Sequence, residues 1–242
     1  MNSPSTASTP RPPAGPALGV HSCSQCATRQ VCLLGRLPSA YAELLNTAIE
    51  ERPFSKLEPL EVEGVVAQRI AVVKVGTVMA TRRGDQHQAR PVALFGRGRV
   101  LGQYSAYGHP EQLGVTALSS GRLCRVRTAD LYRLGVVNHP FHETLQTMIV
   151  HSYGQLADWS RVIRIKGLAN QLRATLILFA KEQGQRTIRL PSQVALAALL
   201  STTRETIART LRQLEQGGHL VRTDRWNCHV VDTSLDSLAL GT

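Results

Sequence analysis

The segment LPSQVALAALLSTTRETIARTLRQLEQGGHLVRTDRWNCHVVD, residues 190–232, constrains the fold more than any other part of this 242-residue chain. Pro191 and Ser192 open a short apolar helix, and LLSTT makes a tight turn. Thr202 and Glu205 have the T-x-x-E spacing of a capping box at the start of a second helix. That helix carries Ile207, Leu211 and Leu214 on one face. At about 100° per residue, Glu205, Arg209 and Arg212 fall opposite, with Arg204 at the flank of the first turn. QGGH ends the helix, and LVRT and CHVV flank DRWN as strand, turn and strand. The pattern predicts a winged helix-turn-helix. Apolar residues hold the second helix on the first, and its polar face is free to enter a DNA major groove. Thr203, Arg204, Glu205, Ala208, Arg209 and Arg212 are the candidate DNA-facing residues. Arg204 and Arg209 suit guanine O6 and N7, and Glu205 suits cytosine N4. The alternative is an ordinary helical hairpin in which Glu205 and Arg209 form an i,i+4 surface pair.

Charge supports a polyanionic partner. Lys and Arg number 28 against 17 acidic residues, a formal net charge of +11, although charge alone decides nothing without a motif. No apolar run approaches the roughly 18 residues of a membrane span. The N-terminus lacks a secretory pattern, so a cytoplasmic location without membrane contact is expected. Residues 1–20, rich in Pro, Ser, Thr and Gly, read as a disordered tail. No nucleophile elbow and no phosphate-cradling loop is present, so no enzymatic activity is expected.

Upstream of the helix-turn-helix, residues 57–128 alternate short apolar runs with Gly-rich turns, the pattern of a small sandwich or barrel. From Pro140, which suits the first turn of a helix, the period changes. Leu145, Met148, Ser152, Leu156, Trp159 and Ile163 follow at steps of three and four. This stripe predicts a helix-to-helix dimerisation seam, with packing on the chain's own β region as the alternative. A second helix over ANQLRATLILFAKEQ ends at Gly184, a natural C-cap.

Three of the five cysteines, Cys23, Cys26 and Cys32, stand in C-x2-C-x5-C spacing. An odd count in a cytosolic chain argues against structural disulfides. Metal ligands, reactive thiols and buried thiols remain open. Cys228 reads as a packed thiol in the wing.

TTRETIARTLRQLEQGG resembles the recognition helix of the Crp/Fnr family of bacterial transcription regulators. The order of β region, long helix and winged helix agrees over residues 21–232. The resemblance implies an α+β fold with an N-terminal β-roll sensor, a jelly roll of the cyclic-nucleotide-binding type. A long dimerisation helix and a C-terminal winged helix-turn-helix follow. The implied boundaries are 21–138 for cysteine loop and roll, 139–165 for the helix and 166–242 for the DNA-binding domain. In this family the Arg, Glu and second Arg of R-E-T-x-x-R read a half-site of palindromic double-stranded DNA; they fall on Arg204, Glu205 and Arg209.

The resemblance also bears on the signal. Arg99 stands where cyclic-AMP receptors place a ribose-binding Glu, and no Arg lies between Gly102 and Ser120 to meet a cyclic phosphate. No cyclic nucleotide is therefore expected. The C-x2-C-x5-C spacing, with Cys124 in SSGRLCRVRTADL, resembles the ligand set of the Fnr branch. That branch implies an oxygen-labile [4Fe–4S] cluster on Cys23, Cys26, Cys32 and Cys124, nitric oxide being an alternative signal. Zinc, with His21 as a substitute ligand, or bare thiol oxidation are the alternatives. Two features depart from that branch. Arg204 and Ala208 lean towards TGTGA rather than TTGAT half-sites, and KLEPLEVEGVVAQ lacks the usual glycine turns. Extra arginines in the β-region turns leave contact with RNA polymerase open.

Overall fold

The computed structural model describes residues 23–84, 88–224 and 226–232. The expected tail and His21 lie outside the described residues. The cysteine stretch forms two turns of 3-10 helix, Cys23–Gln25 and Arg29–Val31. Two short helices follow, α1 (Leu33–Arg36) and α2 (Ser39–Asn46).

Eight strands build the sensor domain: β1 (Glu50–Phe54), β2 (Pro59–Glu61), β3 (Arg69–Val75), β4 (Val78–Arg83), β5 (Ala89–Phe95), β6 (Val100–Leu101), β7 (Gly114–Ala117) and β8 (Gly121–Arg127). They pair as two antiparallel four-stranded sheets, ordered β1-β8-β3-β6 and β2-β7-β4-β5. Eight strands in two facing sheets are a jelly roll. The β region starts at Glu50, earlier than the residue 57 expected from the sequence, because the charged EERPF stretch of β1 is an edge strand. Alternation along β3 serves two cores: Ala71 and Val73 face the roll interior, while Ile70 and Val72 pack under α1 with Cys32, Leu33 and Leu34.

After α3 (Thr128–Arg133), the long helix α4 runs His139–Val162. Asn138 caps it, its side chain accepting the Phe141 N–H, and Pro140 occupies the first turn. Helix α5 (Leu168–Gln183) stops at Gly184, whose φ is +65°. Buried on most of its circumference, α5 is a central helix. Three short strands and two helices complete the described residues: β9 (Thr187–Arg189), α6 (Gln193–Leu199), α7 (Arg204–Gln216), β10 (Leu220–Arg222) and β11 (Asn227–Val230). One continuous core joins the roll interior, the end of α4 and the C-terminal domain through Phe95, Trp159, Val162 and Phe179.

The expected dimerisation stripe needs correction. Leu145, Ser152 and Trp159 are buried within the chain itself, at 0%, 6% and 2% exposure. Met148 and Leu156 are partly covered by the same cores. Of the six positions only Ile163 is open, and it lies just past the end of α4. The apolar period marks the side of α4 that covers its own domains. Val150 and Tyr153, at 68% and 77% exposure, are the large apolar residues on its open side. No helix among the described residues is long and apolar enough to cross a membrane.

Candidate nucleic-acid interface and cysteine site

The C-terminal domain is organised around two capped helices. Ser192 caps α6, its hydroxyl accepting the Ala195 N–H at 3.2 Å. The cap of α7 is Thr203, whose Oγ1 accepts the Thr206 N–H at 3.2 Å. This corrects the capping box expected at Thr202 and Glu205. Thr202 instead donates its N–H to the Ala197 carbonyl, closing α6, so α7 begins one residue later and Thr206 takes the third helical position. An N-cap of this kind is worth about 1 kcal/mol.

Ile207, Thr210, Leu211 and Leu214 bury one face of α7. Thr203, Arg204, Glu205, Arg209 and Arg212 are exposed, and Ala208 is half-buried at the margin. The predicted reading residues thus share the open side of the second helix. A three-stranded sheet, ordered β10-β11-β9, forms the wing. Asp224 shapes its tip by accepting the N–H groups of Trp226 and Asn227. The Asn227 side-chain amide also donates to it, at 2.7 Å, and that bond, ahead of the backbone ones, holds its carboxyl below the usual range. Cys228 is fully buried in the wing sheet, where burial pushes its thiol up to about 11, and it packs with the main core.

The other four cysteines gather on the outer face of the β1-β8-β3 sheet. Cys124 sits mid-strand in β8, opposite Glu51 on one side and Val72 on the other. Cys32 is the N-cap residue of α1 and is buried, while Cys23 and Cys26 precede it in half-buried turns. Cys23 interacts electrostatically with Cys26 and Cys124, Cys32 with Cys23 and Cys26, and Cys124 with Cys26 and Cys32. Two partners for each of three residues cover all six pairs. Burial, with the neighbouring sulfurs adding to it, pushes Cys23, Cys32 and Cys124 up to about 11. Among the described residues no group of three or more His, Cys, Asp or Glu side chains is arranged to hold a metal ion. The sulfurs on one tetrahedral zinc would stand about 3.8 Å apart, given Zn–S bonds of about 2.3 Å. The ligands of a cubane each take a different iron and stand further apart. Four cysteine thiols are the donor type and number that such a cluster takes.

The cysteine loop is fastened to the rest of the molecule. Arg97 donates to the Ala27 carbonyl, and Arg36 reaches Met148 Sδ of α4 at 3.6 Å. A cavity of about 640 Å3 lies where loop, β5–β6 turn, α4 and α5 meet, lined in part by Val31, Arg36, Gly98, Met148 and Glu182. Inside the roll, Arg99 lies 3.7 Å over the Phe95 ring. Its Nη1 is buried without a hydrogen-bond partner, and burial lowers it to about 10, still charged at neutral pH. The adjoining space, between Arg99, Gln103, Glu61 and Glu111, measures about 20 Å3.

Sequence reasoning missed Glu51 and Lys74, which lie near Cys124, and Arg122, which pairs with Glu51. Strand register brings them there, and no motif announces it.

A jelly roll leading through a long helix into a winged helix-turn-helix, with four arginine and glutamate side chains exposed on the second helix, defines a DNA-binding transcription regulator. Residues 170–235 match the Crp-like helix-turn-helix domain. The structure is similar to FixK2 from Bradyrhizobium japonicum at 20% identity, with a TM-score of 0.63 over 78% of this chain and 96% of that one. It is similar to CLP of Xanthomonas campestris, a c-di-GMP responsive global regulator, at 18% identity, TM-score 0.58, covering 81% and 100%. A CRP-family transcriptional regulator from Thermus thermophilus gives 13% identity and TM-score 0.58, covering 77% and 94%. No curated protein sequence matches. The C-terminal segment is a Crp-like helix-turn-helix domain, and the fold of the chain is that of Crp/Fnr-type regulators.

Proposed function

We propose that the protein is a homodimeric, Fnr-like regulator whose DNA affinity depends on an iron–sulfur cluster held by Cys23, Cys26, Cys32 and Cys124. The observation that supports this reading is the placement of the four cysteines, three in one loop and Cys124 on the sheet it packs against, near enough to influence one another's ionisation. When bound, a [4Fe–4S] cluster supplies a redox centre labile to oxygen or nitric oxide. The protein's own residues carry its state outward. Arg97 and Gly98 seat the loop on the β5–β6 turn, and Arg36 ties it to α4. Val150 and Tyr153 on the open side of α4 face a second copy, and two α7 helices then read a palindrome with TGTGA-like half-sites.

A cyclic nucleotide has no part in this reading. A space of about 20 Å3 beside Arg99 accommodates a water molecule, and Arg99 itself fills the interior.

The test is full-length protein reconstituted anaerobically with ferrous iron and sulfide. About four irons and four sulfides per chain, with a broad absorption band near ~400–420 nm that bleaches in air, are expected. Stoichiometric zinc instead would make the loop a zinc site, and colourless metal-free protein would leave a thiol switch.

A further inference from the structure

The sheet beneath the cysteine loop carries a charge cluster of its own. Glu51 of β1 stands directly across from Cys124. Its carboxylate is 2% exposed and meets Lys74 Nζ at 2.6 Å through Oε2 and Arg122 Nη1 at 2.8 Å through Oε1. Two cations against one carboxylate leave the cluster net positive by one. Lys74 follows Ile70 and Val72 on the outer face of β3 and stands at an irregularity of the strand. Val73 pairs with Leu123 and Val75 with Arg122, so Lys74 is the extra residue of a β-bulge. Bulges occur beside functional sites, and here the side chain is only 16% exposed. Lys74 lies within electrostatic reach of Cys23, Cys26 and Cys124.

The four cysteines are protonated while the site is empty and become thiolates when they ligate a metal; thiolates gathered in a partly buried site repel one another, and a low-polarity setting strengthens that repulsion. A cation held at fixed distance offsets it without occupying a ligand position. We propose that Lys74, set on the outer face of β3 and anchored by Glu51, is the fixed countercharge of the four-cysteine site. It is a positioning residue, since it touches neither DNA nor a ligand position. The inference rests on the reading that the four sulfurs act as one site, and it holds whether that site takes an iron–sulfur cluster or zinc.

The test compares full-length metal-free wild type with Lys74→Gln and Lys74→Arg. Cys124 is labelled in turn by a dianionic aromatic disulfide and by a neutral alkylating reagent, and each rate is read by peptide mass analysis. The ratio of the two rates cancels the thiolate fraction and reports local charge. Lys74→Gln should lower the ratio several-fold, and Lys74→Arg should restore it. Lys74→Met gives the same reading if Gln is not tolerated at this half-buried position. Equal ratios in wild type and the neutral variants overturn the proposal. Anaerobic iron loading of the same wild-type preparation separates the two ideas. Iron uptake with unchanged ratios removes Lys74 and leaves the cluster, and no iron uptake with a lowered ratio does the reverse.

Discussion

Gly98 and Val31 meet so closely that a Cβ on the glycine would lie 2.7 Å from the Val31 carbonyl oxygen. Gly98 also has φ +88°, a conformation that side-chain-bearing residues rarely adopt. The cysteine loop therefore rests on bare backbone of the β5–β6 turn. The Gly98→Ala variant should lose about 1–3 kcal/mol of stability and lift the loop. Chemical unfolding gives the first quantity, and faster labelling of buried Cys32 by a neutral reagent gives the second. Unchanged stability and labelling would mean that the contact does not hold the loop.

On α7, Arg204 and Arg209 each project from the open side of the helix. Replacing either with Ala should weaken binding to the preferred palindrome by about 1–3 kcal/mol and relax preference at one base pair of each half-site. Titrations against base-swapped duplexes at fixed salt read both effects. A uniform loss across all sequences would reassign the residue to the phosphate backbone.

Much of this architecture was legible beforehand, because helix-turn-helix packing imposes a 3.6-residue period that Ile207, Leu211 and Leu214 display openly. The cysteine spacing was equally plain. The cap was misread by one residue because Thr202 and Thr203 are chemically equal, and only the Thr202 N–H bond to Ala197 separates them. The stripe on α4 read as a seam for a different reason. Helix α4 has two apolar sides, and the stronger period belongs to the side covered by its own chain. Lys74 and Glu51 were illegible because their meeting depends on cross-strand register.

The two sides of α4 predict separable phenotypes. Tyr153→Glu and Val150→Glu should shift the protein from dimer to monomer in sedimentation, with little change in monomer stability. Leu145→Ala should instead cost about 2–5 kcal/mol of folding stability, since Leu145 is wholly buried. A dimer indifferent to both glutamates would place the seam elsewhere.

Burial raises the Glu61 carboxyl to about 7, against the opposing pull of Arg69 and with a further push from Glu111. Because the folded value exceeds the unfolded one, its favourable contribution is complete below about pH 4.5 and is lost as pH rises through about 7. The Glu61→Gln variant should therefore gain on wild type between pH 5 and pH 8, by about 3 kcal/mol at most. Denaturant unfolding of both proteins at the two pH values measures it. Parallel pH profiles would contradict the assignment.

The most direct measurement follows DNA affinity through loss of the metal centre. A fluorescently labelled TGTGA-type palindrome is titrated with anaerobically reconstituted protein, and again after exposure to air, alongside Cys124→Ser. Coupling between a sensor site and a DNA site typically spans about 5–150-fold in affinity. The account predicts a fall within that range for wild type on exposure to air, and weak, air-insensitive binding for Cys124→Ser. Equal affinity before and after the iron is lost would contradict it.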